Sequence, residues 1–184
     1  MSKTSRLAAA LALLAFGVLA GPAVADERKV DETREVDGDA RIRIENVAGE
    51  IIVRGWDKKE LRVRGTLGED VERLDIEGDE GSMKIDVVYP RRLRGRTDGA
   101  YLEIDVPEGA DVEIGVVSAD VEVSQLRHVL EVGSVSGEVR VAGEFDELLV
   151  ETVSGDIDVE ATARQASFES VSGDLDLDGL DADE

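Results

Sequence analysis

Four stretches of the chain set a serine beside a small residue and then a carboxylate. They are Ser118-Ala119-Asp120, Ser136-Gly137-Glu138, Ser154-Gly155-Asp156 and Ser172-Gly173-Asp174. A serine nucleophile needs a base to take its proton and a third group to orient that base. The chain holds one histidine, His128, within "SQLRHVLEV". One imidazole cannot serve four equivalent serines, and fourfold repetition argues against a single reactive centre. The same residues have a structural use, because glycine permits a positive φ at a turn and Ser and Asp bond nearby backbone groups. Gly49, Ala119, Gly137, Gly155 and Gly173 are therefore read as structural turn positions, with no catalytic or cofactor-binding residue among them.

Two other groups invite a ligand. Asp120, Glu138, Asp156 and Asp174 recur at one turn position, so stacking would bring their carboxylates about 4.8 Å apart, where Ca²⁺ would relieve repulsion. Calcium prefers six or more oxygens, and the Gly-Gly-x-Gly-x-Asp repeats that bind it are absent. A solvated acidic face is the simpler expectation, with no cofactor required. Arg91, Arg92, Arg94 and Arg96 fall within "PRRLRGRTDG". Guanidinium forks match phosphate and carboxylate, so this loop is a candidate for an anionic ligand as well as a neutraliser of the protein's own acids. The single tryptophan, Trp56, reads as a loop-packing residue rather than a sugar platform.

The elements that position these residues repeat every 18 residues. Gly137, Gly155 and Gly173 are so spaced, and Ala119 stands one period earlier. Seven and five residues before each small residue are Val112 and Ile114, Leu130 and Val132, Leu148 and Val150, Ala166 and Phe168. Val117, Val135, Val153 and Val171 precede it by two, and apolar residues follow at two and four, ending with Leu175 and Leu177. Spacing by two is the period of a strand with one buried face, and all these apolar residues, Val171 included, are expected to point inward. Each copy reads as strand, tight turn, strand and a looser return connection, and stacked copies bury their apolar faces against one another. The fold expected is an all-β solenoid, β-helix-like, with coils of about 18 residues. A β-sandwich of consecutive hairpins is the alternative. "IRIENVAGEIIV" supplies another good copy around Gly49, and "ELRVRGTLGEDV" a looser one around Gly68. Residues 69–110 break the register. Leu74 and Ile76 with Met83, Ile85 and Val87 suggest one hairpin, and Leu102 to Val106 running into Pro107-Glu108-Gly109 suggests a second. Regular coils resume over 111–178.

The chain of 184 residues opens with a basic start (Lys3, Arg6), an apolar run from Leu7 to Leu19, and Ala23-Val24-Ala25 ahead of Asp26. This is the pattern of a cleaved signal peptide over 1–25, too short for a membrane span and followed by Gly21-Pro22. A polar lead-in over 26–40 and a repeat domain over 41–184 would follow, in a protein that is not integral to the membrane once processed. Cysteine is absent, which excludes disulfides, thiolate metal sites and a lipidated cysteine. Net charge is −22, and it is uneven: residues 100–184 hold 23 acids and only Arg127, Arg140 and Arg164 as bases. Nucleic acid is thereby excluded as a partner of that half, as is anionic lipid.

The recurring Val-Ser-Gly-acid turn, following "EIDVPEGADVEI", resembles the bacterial family of putative adhesins, envelope proteins whose defining domain has no assigned function. The resemblance covers Ala40 to the C-terminus. It implies a β-helix-like solenoid and export, and it brings no catalytic residues. The expectation is a non-enzymatic exported envelope protein, periplasmic, surface-located or secreted, that binds an envelope protein or surface glycan. The first alternative is a structural or regulatory periplasmic protein acting by strand-edge pairing, with strand-edge self-association as a variant. A polysaccharide-active enzyme on a β-helix is the less favoured one.

Overall fold

The computed structural model describes residues 28–91 and 97–179, and every element in that range is a strand. In chain order these are β1 (Arg28–Glu35), β2 (Arg41–Trp56), β3 (Glu60–Leu67), β4 (Arg73–Asp79), β5 (Ser82–Val88), β6 (Ala100–Pro107), β7 (Asp111–Ser124), β8 (Val129–Ser134), β9 (Val139–Thr152), β10 (Ile157–Ser170) and β11 (Leu175–Asp178). The period of 18 is the register of the parallel pairing. Leu130 lies beside Val112, Leu148 beside Leu130, Ile157 beside Val139 and Leu175 beside Ile157. Consecutive copies are thus neighbouring coils of a β-solenoid, which rules out the sandwich of hairpins. Their alternate residues fill one continuous core in which Ile42, Ile44, Ile51, Leu130, Leu148 and Ile157 are essentially inaccessible.

Six coils stack in space in an order that differs from chain order. The strands β5 and β6 make the first coil and β2 the second, because β2 pairs in parallel with β5 through Ile42–Met83 and with β6 through Ile51–Leu102. The third coil is β7, aligned on β2 with Gly49 beside Ala119. Three more follow: β8 with the start of β9, the end of β9 with the start of β10, and the end of β10 with β11. The chain therefore lays down its second coil first, moves outward, and returns past it to β7. Antiparallel strands cover the outer side of the first coil, β4 on β5 and β3 on β6, with β1 beyond β3.

Three expectations are corrected here. The loose copy at Gly68 is not a coil: its strand, β3, runs antiparallel to both β1 and β6. Alternation alone does not carry strand direction, so a cap strand and a coil strand look alike in sequence. The segment through Pro107-Glu108-Gly109 is not a hairpin either, since β6 and β7 pair with opposite edges of β2. The hairpin at Glu80-Gly81 does form, with Ile76 opposite Ile85 and Leu74 opposite Val87. The return connection is also tighter than expected in two coils, where β9 and β10 run unbroken through it and stay paired from Ile157–Val139 to Ser170–Thr152. The earlier return, after β7, is broken at Gln125, which adopts φ 61°.

Candidate functional site

The last three coils turn at a Val-Ser-Gly stretch, and the backbone there is laddered from coil to coil. Val135 N–H donates to the Val116 carbonyl at 3.2 Å and Ser136 N–H to that of Val117 at 2.8 Å. Val153, Ser154, Val171 and Ser172 repeat the pattern on the next coils. The glycine is dictated by the neighbouring coil. A Cβ on Gly137 would lie 2.3 Å from the Ala119 carbonyl oxygen, and one on Gly155 would lie 2.1 Å from that of Gly137. Gly137 has φ 115°, whereas no positive φ occurs at Gly155, so close approach is the constraint common to both. In the third coil β7 passes the corner as a continuous strand, and there Ala119 is tolerated, fully buried.

The valines at this corner face solvent, contrary to the sequence expectation. Val117, Val135, Val153 and Val171 are 44%, 48%, 48% and 74% exposed, whereas Ile, Leu and Val elsewhere in coils two to five are largely buried. The buried residue is the one before the valine in coils three to five, Val116, Ser134 and Thr152, as is Asn46 before Val47 in coil two, whereas Ser170 before Val171 in the last coil is half-buried. The physical reason is that alternation continues inward from minus seven and minus five to minus three, and resumes inward at the glycine. Two consecutive residues, the valine and the serine, must then point outward to make the corner. The buried polar members hold the turn from within. Thr152 Oγ1 accepts the Gly155 N–H at 2.9 Å, and Ser134 Oγ donates to the Ser136 carbonyl at 3.2 Å. In the second coil, Asn46 Oδ1 accepts the Val47 N–H at 2.9 Å, Asn46 Nδ2 donates to the Ala48 carbonyl, and Tyr89 Oη lies 2.9 Å from both acceptors. Burial pushes the Tyr89 phenol up from its ordinary range, partly offset by the Ala48 carbonyl.

The serines sit on the rim: Ser118 and Ser136 hydroxyls are 3.2 Å apart, and Ser136 also donates to the Val117 carbonyl. His128 is elsewhere, at the return corner, with Nδ1 2.6 Å from Asp111 Oδ1 and Nε2 3.8 Å from Asp146 Oδ2. The length of β8 separates it from Ser136, roughly 20 Å at the rise of a strand. Asp120, Glu138, Asp156 and Asp174 follow the glycines as one column. Asp120 and Asp156 each accept the backbone N–H of the next coil's acid at 2.9 Å. Among the described residues no three carboxylate or imidazole groups converge as a metal site.

Of the arginine candidates, Arg91 is exposed, and Arg92, Arg94 and Arg96 lie outside the described residues. The strand β6 begins at the corner position, since Ala100 pairs with Gly49. Trp56 ends β2, donates through Nε1 to the Glu60 carbonyl at 2.8 Å, and carries Lys58 Nζ 4.4 Å over its ring. It closes a loop. Sequence reasoning missed the outward valine column, although strict alternation from minus five was the signal for it.

The family comparison agrees with a β-solenoid-like fold. Residues 35–184 match the model of the Toastrack DUF4097 family. The chain belongs to this family, whose domain is of unknown function. No curated protein matches the sequence. Among solved structures, similarity extends to a putative cell adhesion protein from Clostridium sporogenes, at 9% identity and TM-score 0.47, over 82% of this chain and 99% of the other. A putative adhesin from Parabacteroides distasonis matches at 15% identity and TM-score 0.42, over 82% and 74%. A putative lipid binding protein from the same organism matches at 19% and 0.43, over 83% and 74%.

Proposed function

We propose that the protein is a non-enzymatic, exported module of the cell envelope that binds a partner protein through the Val-Ser-Gly corner. The carrying observation is the column of exposed valines, repeated at one position in four coils. Solvated valines contribute nothing to the core, and contiguous exposed apolar surface is the mark of an interaction site. The non-enzymatic reading is supported by the distance between His128 and the corner serines and by the equivalence of those serines. Export rests on the leader-like segment 1–25, which lies outside the described residues, and predicts a processed chain beginning at Asp26.

A second reading, partner binding by strand addition, is favoured by the last coil. The segment of β10 from Gln165 to Ser170 pairs with β9 on one side only among the described residues, and the inward-facing Leu175 is 45% exposed. An open edge with exposed core residues is a template for another strand. Photo-crosslinking residues placed singly at Val135, at Phe168 and at Glu122 separate the two readings in intact cells. The corner reading expects a protein adduct from position 135. An adduct from 168 alone would favour strand addition, and adducts from neither would contradict both.

A further inference from the structure

We infer that the corner receives a cationic amphipathic helix of a partner protein, lying along the solenoid axis; this rests on the corner being the binding surface. Beside the valines runs an open groove of about 320 Å³, with Gly115 and Gly133 on its floor and Glu151 and Glu169 at its far end. Nothing approaches within 4 Å of where a Cβ on Gly115 or Gly133 would be, so the floor is open to an incoming side chain. Val135, Val153 and Val171 form its lip. The valine lip is continuous, while the floor beside it is open at the glycines of the third and fourth coils and carries carboxylates in the fifth and sixth.

Charge sets the chemistry of the occupant. Glu151 and Glu169 flank the valines on one side, and Asp120, Glu138, Asp156 and Asp174 on the other. Two of the three arginines of this half do not reach the strip, since Arg127 and Arg164 pair with Glu108 and Asp146 at or near the return corner. The third, Arg140, pairs with Glu138 and offsets one of the four acids on that side, leaving Asp120, Asp156 and Asp174. An apolar line between two acidic rows matches a segment with an apolar stripe and lysine or arginine on both shoulders. Anionic membrane surfaces would be repelled. So would a second copy, which would bring the same acids face to face.

Spacing selects the helix. The valines recur at the distance between paired strands, about 4.8 Å. The a/d stripe of a helix advances about 5.2 Å per apolar residue, whereas same-face residues of an extended segment recur at about 6.7 Å. Over the three steps from Val117 to Val171 the helix drifts by about 1 Å and the extended chain by about 6 Å. Helical apolar residues stay in step with the valine row.

The test uses a synthetic helical peptide of about 16 residues, with a leucine stripe flanked by lysines, titrated into the processed protein. Three controls accompany it: a glutamate-for-lysine peptide, a peptide broken by a central proline, and phosphatidylglycerol vesicles. Binding is expected for the lysine peptide only. V135S/V153S should weaken it by about tenfold or more at unchanged net charge. V117S/V171S, read in the same way, guards against a folding artefact in the first pair. E151Q/E169Q should weaken it about threefold and flatten its dependence on salt. Undiminished binding to both valine variants would reduce the effect to polyanion–polycation attraction and overturn the inference. Equal affinity for the proline peptide, or valine-dependent vesicle binding, would overturn it too. A cellular adduct from position 135 combined with a null peptide titration would leave the binding module standing and reject only the helix.

Discussion

At the scale of single residues, the glycines of one chain do unlike things, and alanine substitution separates them. Gly155→Ala forces a Cβ to 2.1 Å from a backbone oxygen of the coil before it, so the coils must part. The expected loss is roughly 1–3 kcal/mol in chemical denaturation, from strain and displaced backbone. Gly115→Ala meets open space and should be neutral or stabilising by up to about 1 kcal/mol. Asn46→Ala leaves the part-buried Val47 N–H without its acceptor and should cost about 1–2 kcal/mol. A pH effect belongs to this scale as well. The Arg43 guanidinium bonds the Glu113 carboxylate across β2 and β7 and holds it below the usual carboxylate range. A depressed folded pKa contributes stability above the unfolded value, and that contribution is lost as pH falls through the folded one. Glu113→Gln should therefore lower Tm at neutral pH and converge with the parent chain in acid. The inward residues at minus seven, minus five, two and four were legible because apolarity and alternation agree there. The valine at minus two was not, because its apolarity contradicts its parity. Parity wins at a corner, since each peptide there must keep its ladder bond to the next coil.

At the scale of elements, the period of 18 makes the coils interchangeable. Gly137 and Gly155 hold equivalent places, so excising residues 137–154 joins Ser136 directly to Gly155 and restores a Val-Ser-Gly-Asp corner. The shortened protein should give the same β-sheet circular dichroism and a cooperative melt. Excision of one residue more or fewer flips every following side chain to the wrong face and should abolish the melt. The coils themselves were readable from sequence because each residue of the repeat answers an identical neighbour. The caps were not. The strand β3 shares the alternation of a coil strand, and its antiparallel direction is decided by which edge is left open when β2 has already paired. Likewise the 70-residue separation of Gly49 from Ala119, adjacent in space, is not a multiple of the period and left no trace in the spacing.

For the whole molecule, charge and shape act together. The half that carries the regular coils has 23 acids to three bases, and stacking holds those acids in columns at strand spacing. Raising salt from about 20 mM to about 300 mM should raise Tm by screening this repulsion. Ca²⁺ at matched ionic strength should add nothing beyond Mg²⁺ if the columns are solvated, while a Ca²⁺-specific rise would establish the calcium ladder. The central claim is that the corner valines face outward and form an apolar line along the coils. Because the chain lacks cysteine, single-cysteine variants report it directly through thiol labelling of the folded protein. Cysteines at 117, 135 and 153 are predicted to label rapidly, and those at 116, 134 and 152 to stay protected until denaturant is added. Protection at 117, 135 and 153 with labelling at their neighbours would contradict the account.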